Sequence, residues 1–278
     1  MWEAKSGRDV SPLNDNFVSA IISVAWSPNE QKVALVSTQG VSSQAEVFIF
    51  DPMTGRKLLS YIQGSNNFYF SHALEVAWSP DGKYLGTSGS DMAQITDPNS
   101  GQRVAKYPQG GPNTSRAFAW SPDGQMAVSS ASQAGHSLQL WSTQTGAAIK
   151  YYPANFPNSI AWSPDGKYIA YEDIKQQIYI WNVKQDQLVL TIPGQLDPNL
   201  NGIFDEIHAH AIAWSPNSTE LAVTSYENAV HIWNVNTKQQ SYTYTEHSAP
   251  ARAVAWSPDG QQIASAGDDH TVRIWQAV

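Results

Sequence analysis

A chain of 278 residues, 41% hydrophobic and 11% aromatic, is long enough for one large domain or two ordinary ones and too apolar for a disordered one. A formal net charge of -8 with no basic run disfavours a nucleic-acid partner, because binding to a phosphate backbone rests on counterion release by Lys and Arg. Cysteine is absent, which excludes disulfides and thiolate chemistry, and no apolar run approaches the roughly 18 residues of a membrane-spanning helix.

In chain order, the opening MWEAKSGRDV is not a signal peptide, since no basic start leads into an apolar stretch. AIISVAW (20–26) then predicts a β-strand, SPNEQ a turn, VSTQGVSSQAE (36–46) a long loop and EVFIF (46–50) an alternating strand. That first unit spans about 20–62 and ends in the connection IQGSNNFYFSH (62–72). The second unit, about 73–108, carries AQIT (93–96). The third, about 114–153, holds SSASQAGHS (129–137), read as a loop, and LQLW (138–141). The fourth, about 158–193, shows the full pattern of KYIAY (167–171), IYIW (178–181) and QLVLTI (187–192). The connection IPGQLDPNLNGIFDEIH (192–208) leads to the fifth, about 208–245, with VHIW (230–233), and the sixth is about 250–278, with VRIW (272–275).

The tetrapeptide AWSP begins at Ala25, Ala77, Ala119, Ala161, Ala213 and Ala255, at spacings of 52, 42, 42, 52 and 42. Pro in the SPDG turn presets φ, and Asp and Gly follow where a tight turn needs them. Four short strands repeating every ~40–45 residues are the signature of a propeller blade, whose two faces are covered only by its neighbours. A β-sandwich would not account for six AWSP anchors. The expected fold is therefore all-β, a single six-bladed propeller of four-stranded antiparallel blades over 1–278. Residues 7–12 would supply the fourth strand of the last blade, because MWEAKSGRDV matches the third-strand, turn and fourth-strand pattern of WSTQTGAAIKYY (141–152). Trp2 sits where a third strand would finish, which is compatible with a longer parent protein.

These units resemble WD-repeat blades of bacterial type. The sixth matches the family pattern most fully, with His247, Ser265, Asp269 and Trp275, and the resemblance implies a structural hydrogen-bonded chain through those four. Elsewhere Phe50 and Thr96 replace the third-strand Trp, so the other blades are expected to rest more on packing. WSPDGKYIAY (162–171) also resembles the propeller of Tol-type periplasmic proteins, whereas the IWN and IWQ endings favour WD repeats. Bacterial serine/threonine kinases with such tails are a further, looser resemblance.

Antiparallel strands send the first-to-second and third-to-fourth turns to one rim, where every first-to-second turn is short, and the remaining connections to the other, where lengths vary. Function is built where loops vary. The binding-face candidates are Phe68, Tyr69, Phe70, Ile203, Phe204 and Asp205 in the two longest insertions, together with Tyr226; exposed aromatics often anchor partners, and the competing role for the loop aromatics is to fold back as a cap. His208 and His210, two apart on one strand face with Asp205 or Glu206 nearby, form a weak candidate metal site such as Zn²⁺; a packed structural role competes, and His72 holds the same offset before its Trp. The paired acids Glu172–Asp173 and Asp268–Asp269 fall at turns, where acids are ordinary, and no GxSxG elbow occurs. The leading expectation is a non-catalytic scaffold that binds a protein or peptide partner without a cofactor, as a monomer with no nucleic-acid or membrane-inserting role and with a cytoplasmic location favoured. The alternatives are a metal-dependent or lactonase-like propeller enzyme working at the pore mouth, and a purely structural or sensor domain of a larger signalling protein.

Overall fold

The computed structural model describes residues 21–38, 45–63, 73–89, 92–108, 117–133, 136–155, 157, 159–173, 176–193 and 211–277. The chain forms two compact units, Met1–Pro153 and Ala154–Val278, each holding three sheets. In the first unit, sheet one is β1 (Ile21–Trp26), β2 (Val33–Thr38), β3 (Ala45–Phe50) and β4 (Lys57–Gln63). Sheet two is β5 (Ala73–Trp78), β6 (Leu85–Gly89), β7 (Met92–Thr96) and β8 (Arg103–Pro108), and sheet three is β9 (Phe118–Trp120), β10 (Met126–Gln133), β11 (His136–Ser142) and β12 (Ala148–Tyr152). In the second unit, sheet four is β13 (Ser159–Trp162), β14 (Tyr168–Glu172), β15 (Ile178–Asn182) and β16 (Gln187–Ile192). Sheet five is β17 (Ile212–Trp214), β18 (Glu220–Thr224), β19 (Val230–Asn234) and β20 (Gln239–Tyr244), and sheet six is β21 (Ala251–Trp256), β22 (Gln262–Gly267) and β23 (Val272–Gln276). Every sheet is an antiparallel meander in chain order. Sheet six has three strands among the described residues, and residues 7–12, expected to complete it, lie outside them.

The repeated AWSPDG motif folds as it does because each of its residues makes a contact that recurs. In sheet two the Ser79 hydroxyl donates to Asp81 Oδ1 at 2.7 Å and accepts the Tyr84 N–H at 2.9 Å, while the Lys83 N–H donates to Asp81 at 3.1 Å. Gly82 completes the turn at φ +70, a region that costs an L side chain strain. An amide serves in place of the carboxylate, as Ser27 bonds Asn29 and Ser215 bonds Asn217, each at 2.7 Å. At four of the inner strands the Trp indole then pins the strand to its predecessor in the same unit. Within the first unit Trp78 Nε1 donates to the Ala25 carbonyl at 3.1 Å and Trp120 Nε1 to Ala77 at 3.0 Å. Within the second, Trp214 donates to Ala161 at 3.2 Å and Trp256 to Ala213 at 3.0 Å. The proline of one turn packs on the turn of the next sheet, as with Pro80 and Gly124.

The third strand fills the blade differently in each sheet. Trp141, fully buried, donates to Ser129 Oγ at 3.2 Å, and Trp181 donates to the Tyr171 hydroxyl at 3.1 Å. Where Thr96 stands in place of Trp, Tyr61 reaches across from β4 and its hydroxyl bonds Thr96 Oγ1 at 2.7 Å. Burial pushes the Tyr61 hydroxyl up to about 12.

Between sheets, small residues of the second strands pack against β-branched residues of the next inner strand: Ala34 clusters with Val76, and Ala170 with Ile212. At the sheet two–three junction both partners change. Phe118 takes the Val/Ile place and Gly86 the Ala place, and a Cβ on Gly86 would run into the Phe118 ring at Cε1. Gly86→Ala is therefore expected to destabilise by about 1–3 kcal/mol through overpacking. In a Phe118→Val background the same change is expected to cost less than about 0.5 kcal/mol, because that pair reproduces the junctions elsewhere. Urea denaturation of the four proteins measures this, and additive losses would show that the ring is not the obstacle.

One junction carries a charge-bearing group. Ser23 Oγ accepts the Val76 N–H at 3.2 Å; one blade on, the same place belongs to Glu75, whose Oε2 accepts the Phe118 N–H at 2.7 Å. Burial raises the Glu75 carboxyl to about 8, against which the Phe118 bond pulls only weakly.

Candidate functional site

The AWSP turns and the third-to-fourth turns share one rim of each unit, and the opposite rim carries the connections of variable length. Two of those connections are shorter than the sequence suggested. The segment 129–137, read as a loop, is largely strand: β10 runs to Gln133 and β11 starts at His136, with Gln133 paired to His136 beyond a register shift. Its SSASQ run contains no Pro, Asn or Asp to stop pairing, so the hairpin continues. In 36–46, Thr38 likewise pairs with Ala45. Phe68, Tyr69, Phe70, Ile203, Phe204, Asp205, His208 and His210 lie outside the described residues. Among the described residues no group of three or more His, Cys, Asp or Glu could hold a metal ion.

Tyr226 is described, and the structure gives it company. It sits between β18 and β19, and the Arg252 guanidinium from the start of β21 lies over its ring at 5.2 Å. Arg252 Nε donates to Asp268 Oδ2 at 2.9 Å, with a second, short contact through Nη2. The Arg252 side chain is 28% exposed and that of Asp268 47%, so this ion pair adds little stability but fixes the guanidinium in one place. Asp268 thereby takes one edge of the guanidinium, and the five-donor fork of Arg still has N–H groups on its other edge.

The frame beneath this group is rigid. His247 Nδ1 lies 2.9 Å from Asp269 Oδ2 and Nε2 lies 2.8 Å from Ser265 Oγ, which Trp275 Nε1 approaches at 3.4 Å. Asp269 also accepts the Ser248 N–H at 3.1 Å and, through Oδ1, the Thr271 N–H at 3.1 Å and hydroxyl at 2.8 Å. Burial alone would raise the Asp269 carboxyl; the bonds from Thr271, His247 and Ser248 overcome it and hold the group well below the usual carboxylate range. Tyr244 stacks on Trp275 with centroids 4.4 Å apart, closing the far side. Gly267 is required in this corner, since a Cβ there would stand 2.8 Å from the Pro250 carbonyl oxygen. At the corresponding place in sheet four, Asp173 accepts the Gln177 N–H at 3.1 Å and the Tyr179 hydroxyl at 3.3 Å, so this acid is the staple of a turn.

Sequence reasoning singled out Tyr226 but missed Arg252. The signal was ARAVAW (251–256), where a cation interrupts an otherwise apolar first strand. Asp268 was seen only as half of an ordinary acid pair.

The comparisons with known proteins fit this architecture. Residues 238–276, which run from β20 to β23, match the family described as WD domain, G-beta repeat. Residues 130–250 match the Dipeptidyl peptidase IV (DPP IV) N-terminal region. No curated protein matches the chain in sequence. Among solved structures, a chain from the "Crystal Structure of Mitotic Checkpoint Complex" is similar with a TM-score of 0.78 at 20% identity, covering 100% of this chain and 83% of that one. At that identity the likeness shows the fold, an all-β propeller of six blades, with a WD repeat at its C-terminal end. Matches extend to 1726 chains, so the fold is common and by itself singles out no partner.

Proposed function

We propose that this propeller is a non-catalytic module that binds a protein or peptide on the rim bearing the variable connections. The observation that carries the reading is the Tyr226–Arg252–Asp268 group: an aromatic ring and a held guanidinium, partly open to solvent, on a corner locked by the His247–Asp269 chain. Tyr and Arg are the residue types on which interface energy concentrates, and a pre-fixed pair loses little entropy on binding. The similar chain comes from a structure whose title names a complex, which supports a role within an assembly.

The test is quantitative affinity capture with the intact chain, the Tyr226→Ala variant and the Arg252→Ala variant. Both variants should melt like the wild type and retain about tenfold less of one reproducible partner. Equal capture by all three proteins would remove this rim from the interface. The match of 130–250 to a peptidase's N-terminal region supplies a second reading, an enzyme. Release of dipeptides from a peptide substrate by the purified chain would establish it.

A further inference from the structure

On the opposite rim, between sheets two and three of the first unit, lies a groove of about 210 Å³. Its walls are Tyr84, Trp120, Ile95 and Val104, and its mouth carries two carboxylates from neighbouring AWSP turns, Asp81 and Asp123. Both are ionised at neutral pH: the Ser79 hydroxyl bond holds Asp81 low, and the Ser121 hydroxyl and Gln125 N–H hold Asp123 low. Lys83 pairs with Asp81 Oδ2 at 3.1 Å but is 73% exposed, and among the described residues no cation pairs with Asp123. The mouth therefore keeps a net negative charge over an aromatic and aliphatic floor.

This junction differs from its counterpart between sheets four and five of the second unit. At the corresponding place in the second unit Tyr168 stacks on Trp214 with centroids 5.8 Å apart, and Val235 and Leu190 pack in the same cluster. In sheets two and three the matching positions hold Ala105 and Thr143, which are smaller or polar, and Tyr84 stands 37% exposed. The charge differs too: the turn of sheet five has Asn217 where sheet three has Asp123. Apolar volume and a second carboxylate occur together here.

We infer that this groove receives a cationic side chain, lysine or arginine, of a partner protein, its aliphatic stem along Val104 and Ile95 beside the rings of Tyr84 and Trp120, and its charged head between Asp81 and Asp123. A carboxylate supplies a charge-assisted bond and the aromatic faces attract a cation. This adds a second contact surface to the module proposed above, and it is testable without any partner.

The experiment is an NMR titration of the intact chain with n-butylammonium and with propylguanidinium, against n-butanol as the uncharged isostere at matched ionic strength. The readouts are the Gly124 amide and the Trp120 indole N–H. Saturable shifts with at least one cation, absent with butanol, are expected, and the stronger binder identifies lysine or arginine. Asp123→Asn should weaken the binding about tenfold. That variant keeps its turn, because Asn29 and Asn217 already serve in equivalent turns with the same 2.7 Å Ser bond. Arg252→Ala, on the other rim, should titrate like the wild type, so this site and the proposed interface fail independently. Equal shifts with butanol, or an unchanged titration in Asp123→Asn, would overturn the assignment.

Discussion

Stability of the chain is expected to fall as pH rises from about 4.5 to about 8, and Glu75→Gln is expected to remove most of that fall. The native carboxyl is raised above its unfolded value of 4.5, so between those limits the folded state binds more protons than the unfolded one. The contribution of Glu75 is complete below the unfolded value and is lost as pH climbs through the folded one. The slope reaches about 1.4 kcal/mol per pH unit at most. Among the described residues, the strands that pack most against β5 offer no compensating group: β1 (IISVAW), β2 (VALVST), β6 (LGTSG) and β9 (FAW) contain no titratable side chain. Gln keeps an oxygen to accept the Phe118 N–H and has no charge to bury. Urea midpoints from pH 5 to pH 9 decide the matter; parallel profiles for the two proteins would mean that Glu75 is solvated as an ordinary carboxylate.

His247→Ala is expected to cost about 3 kcal/mol, the largest loss from any single polar side chain in the second unit. The imidazole is fully buried and joins Asp269 to Ser265, so truncation strips a partner from a carboxylate that is itself 2% exposed. It also opens a space beside Tyr244, whose ring lies 6.2 Å away. Sheet six, with three strands among the described residues, has fewer ladder bonds to absorb the loss. Denaturant unfolding read through Trp fluorescence should show it, and a loss below about 1 kcal/mol would mean that the chain through His247 is not what holds this corner.

Much of the fold was legible because a blade is local. Strand, turn and strand follow one another within some forty residues, and period-2 alternation in stretches such as IYIWN, with every other residue buried, marks which face is covered. The hydroxyl, the acid or amide and the positive-φ residue of each turn act within five residues of one another, so their roles could be read from spacing. The segment 129–137 misled because a Ser-rich stretch resembles a loop, although its first five residues, SSASQ, hold no breaker to stop pairing.

The candidate surfaces were legible only in part. Tyr226 and Arg252 are held by different sheets, and nothing in either local stretch specifies that a ring and a guanidinium will stack. The groove above Trp120 depends on Ala105 of β8 and Thr143 after β11 being smaller or more polar than Leu190 and Val235 in the second unit, which matters only once two sheets are laid together. Glu75 reads as a charge on a strand until the neighbouring Phe118 N–H is found against it. Sequence by itself determined the repeat, the strand order within each blade and the turn chemistry, because these follow from bonds between residues close along the chain. Tertiary structure alone decided which side chains meet across the junctions, since burial, charge and open volume there belong to pairs of sheets and to no single stretch of sequence.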